Sequence, residues 1–203
     1  MEGIINIAGV MPRIGTTTVA LQLIYFLGIA GYTAAYVEIN GQDYIWAITK
    51  TYRTGTHMDK DGTVSFHGID LYRKERLSEL VSGGSPYDYI ICDYGNLRLN
   101  KFCMNDFVKC GAMLLVAGFK PNEVFFTEMA LREPALQDAI YILSFSRAED
   151  RADILKLMRH QAAQTVFAPY MPDPLVPAKG TEAEACFLAV MDHVVERMQG
   201  GGL

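Results

Sequence analysis

A doubly wound α/β domain with a mostly parallel sheet flanked by helices is the fold class this sequence predicts, on three observations. Ile4–Gly9, Tyr89–Cys92 and Met113–Ala117 are short, almost wholly apolar runs, as expected of strands buried on both faces. Helical patterns alternate with these runs, which is the signature of parallel strands joined by crossover helices. Residues 4–39 read strand, helix, strand, one complete βαβ unit. With 203 residues and a 50% hydrophobic share, the chain holds one full-sized core, so a single domain spanning 1–203 is expected.

Taken in order, Ile4–Gly9 is the first strand, Val10–Gly15 a loop, and 16–30 a helix with a broad apolar surface that stops at Gly28/Gly31. Tyr32–Ile39 is the second strand, and Asp43–Thr51 a short helix carrying Trp46. Residues 52–62 are polar and hold the Asp61-Gly62 turn signal, so they read as a surface loop or hairpin tip. Val64–His67 is a strand and Arg73–Val81 a helix closed by Gly83-Gly84. Tyr89–Cys92 is a strand ending on Asp93, 105–110 a helix, and Met113–Ala117 a strand. Pro121–Leu131 suits a helix with proline in its first turn. Ala139–Phe145 is a strand, 148–162 a helix and Thr165–Ala168 a last strand. The closing helix is Thr181–Gln199, capped by Thr181 with Glu182 and Glu184 in its first turn, and Gly200–Leu203 is a frayed end.

Composition narrows function by exclusion. A formal net charge of −5 argues against strong nonspecific DNA binding by the chain as a whole. No apolar run reaches membrane-span length, and the closing helix carries too many acids beside its apolar side (Phe187, Leu188, Met191, Val194, Val195, Met198) to favour a membrane surface. The scattered Cys92, Cys103, Cys110 and Cys186 read as free thiols, and no basic leader precedes the first strand, so a cytoplasmic protein is expected. The four histidines show no ligand pairing on one helix face, Asp59–Gly62 lacks the ligands of a calcium loop, and no metal site is expected. Arg147 and Arg151 read as solvated surface.

The stretch Ile4–Thr18 carries the chemistry. It is a strand, a loop and a helix start, laid out like the phosphate-binding pattern G-x-x-x-x-G-K-[ST]. Gly15 and Thr17 fit that pattern, whereas Val10 holds the first glycine position and Thr16 the lysine position. The chain resembles the ParA/MinD family of deviant P-loop ATPases through the order and spacing of its elements and three motifs. The family loop K-G-G-x-G-K-T-T corresponds to Met11-Pro12-Arg13-Ile14-Gly15-Thr16-Thr17-Thr18. Its D-x-D-x-Q corresponds to Glu38-Ile39-Asn40-Gly41-Gln42, and its Y-D-Y-I-I-I-D-[TS]-P to Tyr87–Gly95 with Asp93 in place.

The resemblance implies a P-loop NTPase-like three-layer sandwich, ATP or ADP with magnesium as cofactor, a face-to-face homodimer around nucleotide, and a protein partner. It assigns phosphate to Arg13, Ile14, Gly15, Thr16, Thr17 and Thr18, and the magnesium shell to Thr17, Glu38 and Asp93. The degenerate positions are Met11, Pro12 and Asn40. Met11 stands where the family has its dimer-crossing lysine, Thr16 where a lysine meets the β- and γ-phosphates, and Pro12 offers no N–H. Asn40 stands where the family has its water-activating aspartate, and an amide is no general base. These departures favour a degenerate regulatory or protein-binding module with no catalytic residue. Two rivals stand beside it: an ATP switch that binds without the lysine, and an enzyme using the same crevice on another phosphorylated small molecule with Glu38 or Asp93 as base. Against each site reading stands a structural one, in which Thr16–Thr18 form only a first helical turn and Asp93 caps the turn that follows it.

Overall fold

The computed structural model describes residues 3–52, 55–59, 63–82, 84–144 and 146–200. Its strands are β1 (Gly3–Gly9), β2 (Ala34–Glu38), β3 (Thr56–Met58), β4 (Val64–Phe66), β5 (Ile69–Arg73), β6 (Tyr89–Asn96), β7 (Ala112–Ala117), β8 (Ile140–Leu143) and β9 (Thr165–Phe167). The helices are α1 (Thr16–Ile29), α2 (Tyr44–Thr51), α3 (Leu77–Ser82), α4 (Met104–Val108), α5 (Val124–Arg132), α6 (Arg151–Met158) and α7 (Thr181–Gly200). Among the described residues the strands form one nine-stranded sheet in the order β3-β4-β5-β2-β6-β1-β7-β8-β9. Every pairing from β5 to β9 is parallel, and the β3-β4-β5 meander at one edge is antiparallel.

The central strands are apolar because both their faces are covered. Ile5, Ile7, Ile90, Ile91, Leu114 and Leu115 are fully buried, and each such side chain contributes about 1.5–3 kcal/mol through removal from water. Helix α1 packs on β1, β2, β6 and α7, which accounts for its apolar character nearly all round. It ends in a Schellman motif: the Gly31 amide donates to Gly28 O and the Tyr32 amide to Leu27 O. Gly31 holds φ 89° there, a conformation that glycine adopts without strain.

Several expectations need correction. Residues 69–73 form β5, a strand not among those expected, and the expected helix from Arg73 begins only at Leu77 after a 3₁₀ turn at Lys74–Arg76. The alternation Ile69-Asp70-Leu71 buries Ile69 and Leu71 while Asp70 accepts from Ser65 and Tyr87. Thr56–Met58 within the expected loop pairs with β4, and the Asp59 amide donates to Thr63 O. Arg53, Thr54, Lys60, Asp61, Gly62, Gly83, Phe145 and residues 201–203, which belong to the expected turns, strand end and tail, lie outside the described residues. Strand β6 does not stop at Asp93 but runs to Asn96, because Asn96 pairs with Gly9 across a register irregularity. In α7 the buried side is Ala183, Cys186, Phe187, Val190 and Val194, so Leu188 and Val195 face solvent instead of the core. That helix begins on Thr181, and the Glu184 amide donates to Gly180 O, which places the cap at Gly180.

Candidate functional site

Strand order reverses about β1, and the crevice outside its carboxyl end is where open parallel sheets hold ligands. Here β1 breaks at Gly9, and Val10–Gly15 turns into α1. The turn is tight: a Cβ on Gly9 would meet Ile14 Cγ2 at 2.6 Å and lie closer still to Thr16 Oγ1. The loop uses left-handed backbone at Arg13 (φ 62°) and at Gly15 (φ 97°), the N-cap of α1. Gly15 supplies no side chain to cap the helix, which leaves the first-turn amides of α1 for solvent or ligand.

The resulting cleft has a volume of about 460 Å³ and is walled by the loop and first turn of α1 on one side and by Gln42, Gly95 and Asn96 on the other. Arg13, Gly15, Thr16, Thr17 and Thr18 stand on it together with Met11 and Pro12. Ile14 turns inward and is buried in the core. Glu38, Asn40 and Asp93 are not on the wall. Arg13 is the one charged side chain there, exposed and without an ion pair among the described residues.

Asp93 sits beneath the cleft, completely buried. Its Oδ2 accepts from Thr17 Oγ1 at 2.7 Å and from Tyr36 OH at 2.8 Å, and its Oδ1 accepts from the Gly95 amide at 2.8 Å. Burial raises its pKa, against the lowering effect of those hydrogen bonds. Tyr36 is raised well above its ordinary value by burial first and then by the neighbouring charges of Asp93 and Glu38. Asp93 thus caps the turn after it and anchors α1 through Thr17.

Glu38 works on another element. Its Oε1 accepts from the Tyr44 amide at 2.7 Å and its Oε2 from the Ile45 amide at 3.2 Å, so the carboxylate caps the start of α2. Burial raises its pKa, and the two amides oppose that shift. Asn40 donates from Nδ2 to the Asp93 carbonyl at 3.2 Å and accepts from the Gln42 amide at 2.8 Å. The side chain of an aspartate at this position has no donor for the Asp93 carbonyl.

The cleft wall offers a magnesium triphosphate little charge: Arg13 is its one cation and no carboxylate stands on it. Both oxygens of Glu38 and both of Asp93 already hold donors, and neither carboxylate reaches the cleft wall. No group of three His, Cys, Asp or Glu residues among the described residues is placed to hold a metal ion. The triphosphate charge faces one guanidinium and a few amide dipoles, where charge-assisted contacts contribute roughly 1.5–3 kcal/mol each. Neither Glu38 nor Asp93 is set up as a base for a ligand in the cleft.

Sequence reasoning missed two residues. Tyr36 was read only as part of a strand, although its hydroxyl fixes Asp93. Gln22, 2% exposed, lies mid-way along α1 and ties down the segment between β9 and α7. Its Nε2 donates to the carbonyls of Asp173 (3.0 Å) and Val176 (2.7 Å), and its Oε1 accepts from the Ala178 amide at 2.7 Å. Tyr25 OH adds a bond to Leu175 O at 3.1 Å. A lone glutamine inside an apolar helical run was the available signal.

No family model and no curated protein matches the sequence. Solved structures do match its fold. MinD from Aquifex aeolicus superposes with a TM-score of 0.66 at 14% identity, over 99% of this chain and 98% of that one. A putative plasmid partition protein from Borrelia burgdorferi B31, solved bound to AMPPNP, gives 0.65 at 11% identity over 97% and 100% of the two chains. A chain of the MinC:MinD cell division complex of Aquifex aeolicus gives 0.63 at 14% identity over 99% and 97%. The chain has the ParA/MinD-like P-loop NTPase fold.

Proposed function

We propose that this protein is a catalytically degenerate ParA/MinD-fold module that regulates or binds another protein, with weak or absent nucleotide binding and no efficient ATP hydrolysis. The observation that carries this reading is Asn40. The amide at the general-base position is bonded to the Asp93 carbonyl and the Gln42 amide, so it acts as a fixed part of the scaffold. The loop supports the same reading, with Thr16 and Met11 at the two lysine positions and Pro12 without an N–H. A chain of the MinC:MinD complex among the fold neighbours supports a protein partner, and a homodimer is the second association to test. No helix among the described residues is long and apolar enough to cross a membrane, and the cytoplasmic setting belongs to this proposal. Calorimetric titration with ATP and ADP in magnesium, run beside a phosphate-release assay, tests it. Micromolar binding with turnover overturns it.

A further inference from the structure

Resting on the reading that the protein works through protein contacts, we propose that the groove between α1 and α7 receives a basic amphipathic helix of a partner protein. The groove has a volume of about 390 Å³, with Tyr25, Phe26 and Ile29 of α1 and Phe187 and Leu188 of α7 on its wall. Phe26 and Phe187 are in ring contact, their centroids 5.8 Å apart. Ile29 is 80% exposed and Leu188 50%, so two large apolar side chains stand open to water. The polar groups nearby are engaged within the protein. Gln22 holds the Asp173 and Val176 carbonyls and the Ala178 amide, and Tyr25 OH donates to Leu175 O. The groove therefore selects an apolar occupant.

Charge decides which apolar occupant fits. On α7, Glu184, Leu188, Asp192 and Val195 follow one another at helical spacing, and all four are exposed. Glu184 stands on the groove wall, and neither it nor Asp192 makes an ion pair among the described residues. Beside this stripe lies Glu196, 3.6 Å from His193. The helix dipole accounts for Glu184 in the first turn, but Asp192 is mid-helix and Glu196 lies toward the carboxyl end, where the dipole disfavours an acid. Helix α1 carries no charged residue, and Arg197 is paired with Asp138 at 2.9 Å. An apolar stripe edged with acids matches a helix whose apolar face is edged with Lys or Arg, laid into the groove. A second copy brings the same acids together in a chain of formal net charge −5, and an anionic lipid surface meets them with like charge. Lys179, the one cation on the wall, is matched by the carbonyl end of the docked helix.

The test titrates the intact protein into a labelled leucine–lysine peptide of about 18 residues, patterned for one apolar helical face, by fluorescence anisotropy. A leucine–glutamate peptide of the same pattern and a scrambled leucine–lysine peptide are the controls. Saturable binding of the patterned basic peptide near about 10 μM is expected, with both controls at least about tenfold weaker. Leu188→Gln and Ile29→Gln leave the charge unchanged at exposed positions on separate helices, and each weakens binding about tenfold. Glu184→Gln combined with Asp192→Asn weakens it about fivefold, a difference that about 0.5 M salt removes. No saturation up to about 1 mM, equal binding of either control peptide, or wild-type affinity in both apolar variants overturns the inference. Self-association in sedimentation that Leu188→Gln abolishes assigns the groove to a second copy and overturns it too. So does binding to phosphatidylserine vesicles that the same variant abolishes. Those results leave the reading of a degenerate ATPase standing, whereas ATP turnover overturns that reading without moving the peptide isotherm.

Discussion

Asn40 holds its side chain between the Asp93 carbonyl and the Gln42 amide, and the consequences of changing it follow from that geometry. Asn40→Asp places a carboxylate against a carbonyl oxygen that then keeps only its backbone donors, the Ile39 and Asn40 amides. The expected loss is about 1–3 kcal/mol of stability by urea denaturation at neutral pH, with no ATPase gained. Gly9 is constrained by space: the Cβ of Gly9→Ala collides with Ile14 and Thr16, so overpacking costs about 1–3 kcal/mol in the same assay. Asp93 and Glu38 make a pH prediction. Burial raises both above their unfolded values of about 3.9 and 4.3, so the native state holds the protons more tightly than the unfolded chain. Their contribution to stability is full below the unfolded values, falls as pH rises through the raised ones, and is level above them. Asp93→Asn removes the Asp93 share of that slope. Denaturation curves across this acid-to-neutral window are therefore expected to show the variant gaining on the wild type as pH rises; a parallel pair of profiles contradicts the assignment.

At the scale of elements, α1 connects two parts of the molecule. Its first turn forms the cleft wall, and one side of its middle holds the 173–178 segment through Gln22 and Tyr25. Gln22→Leu is close in volume but takes the side-chain partner from the Asp173 and Val176 carbonyls and from the Ala178 amide. It is expected to cost about 1–3 kcal/mol and to speed hydrogen exchange at 173–178, while the β1–β6 core exchanges as before. Unchanged exchange at that segment contradicts the role given to Gln22. The same element shows why some features were legible in the sequence and others were not. The apolar run and Gly31 mark α1 and its end because both are local effects of burial and backbone conformation. The partners of Gln22 lie some 150 residues away in the chain, and no local pattern names them. Strand β5 escaped for a related reason: aspartate is depleted in strands, and only tertiary bonds from Ser65 and Tyr87 make Asp70 acceptable in one. Within the site, Thr16, Thr17 and Arg13 were legible because a phosphate loop has a fixed spacing. The tasks of Glu38 and Asp93 were not, since capping α2 and anchoring α1 depend on where the sheet delivers those carboxylates.

For the whole molecule, the parallel sheet delivers β1, β2 and β6 side by side, so the residues at their carboxyl ends converge as a nucleotide-binding fold requires. In the proposed reading it is the chemistry at that convergence that differs: the Glu38 and Asp93 carboxylates accept from internal donors, an amide takes the position of a base, and threonine that of lysine. Nucleotide then has little means of joining two copies. Sedimentation of the protein is expected to give the same oligomeric state with and without magnesium ATP. The most direct measurement is a phosphate-release assay with magnesium ATP, paired with calorimetric titration of the same preparation. The account predicts release no faster than buffer and no saturable micromolar heat; steady turnover accompanied by micromolar binding contradicts it.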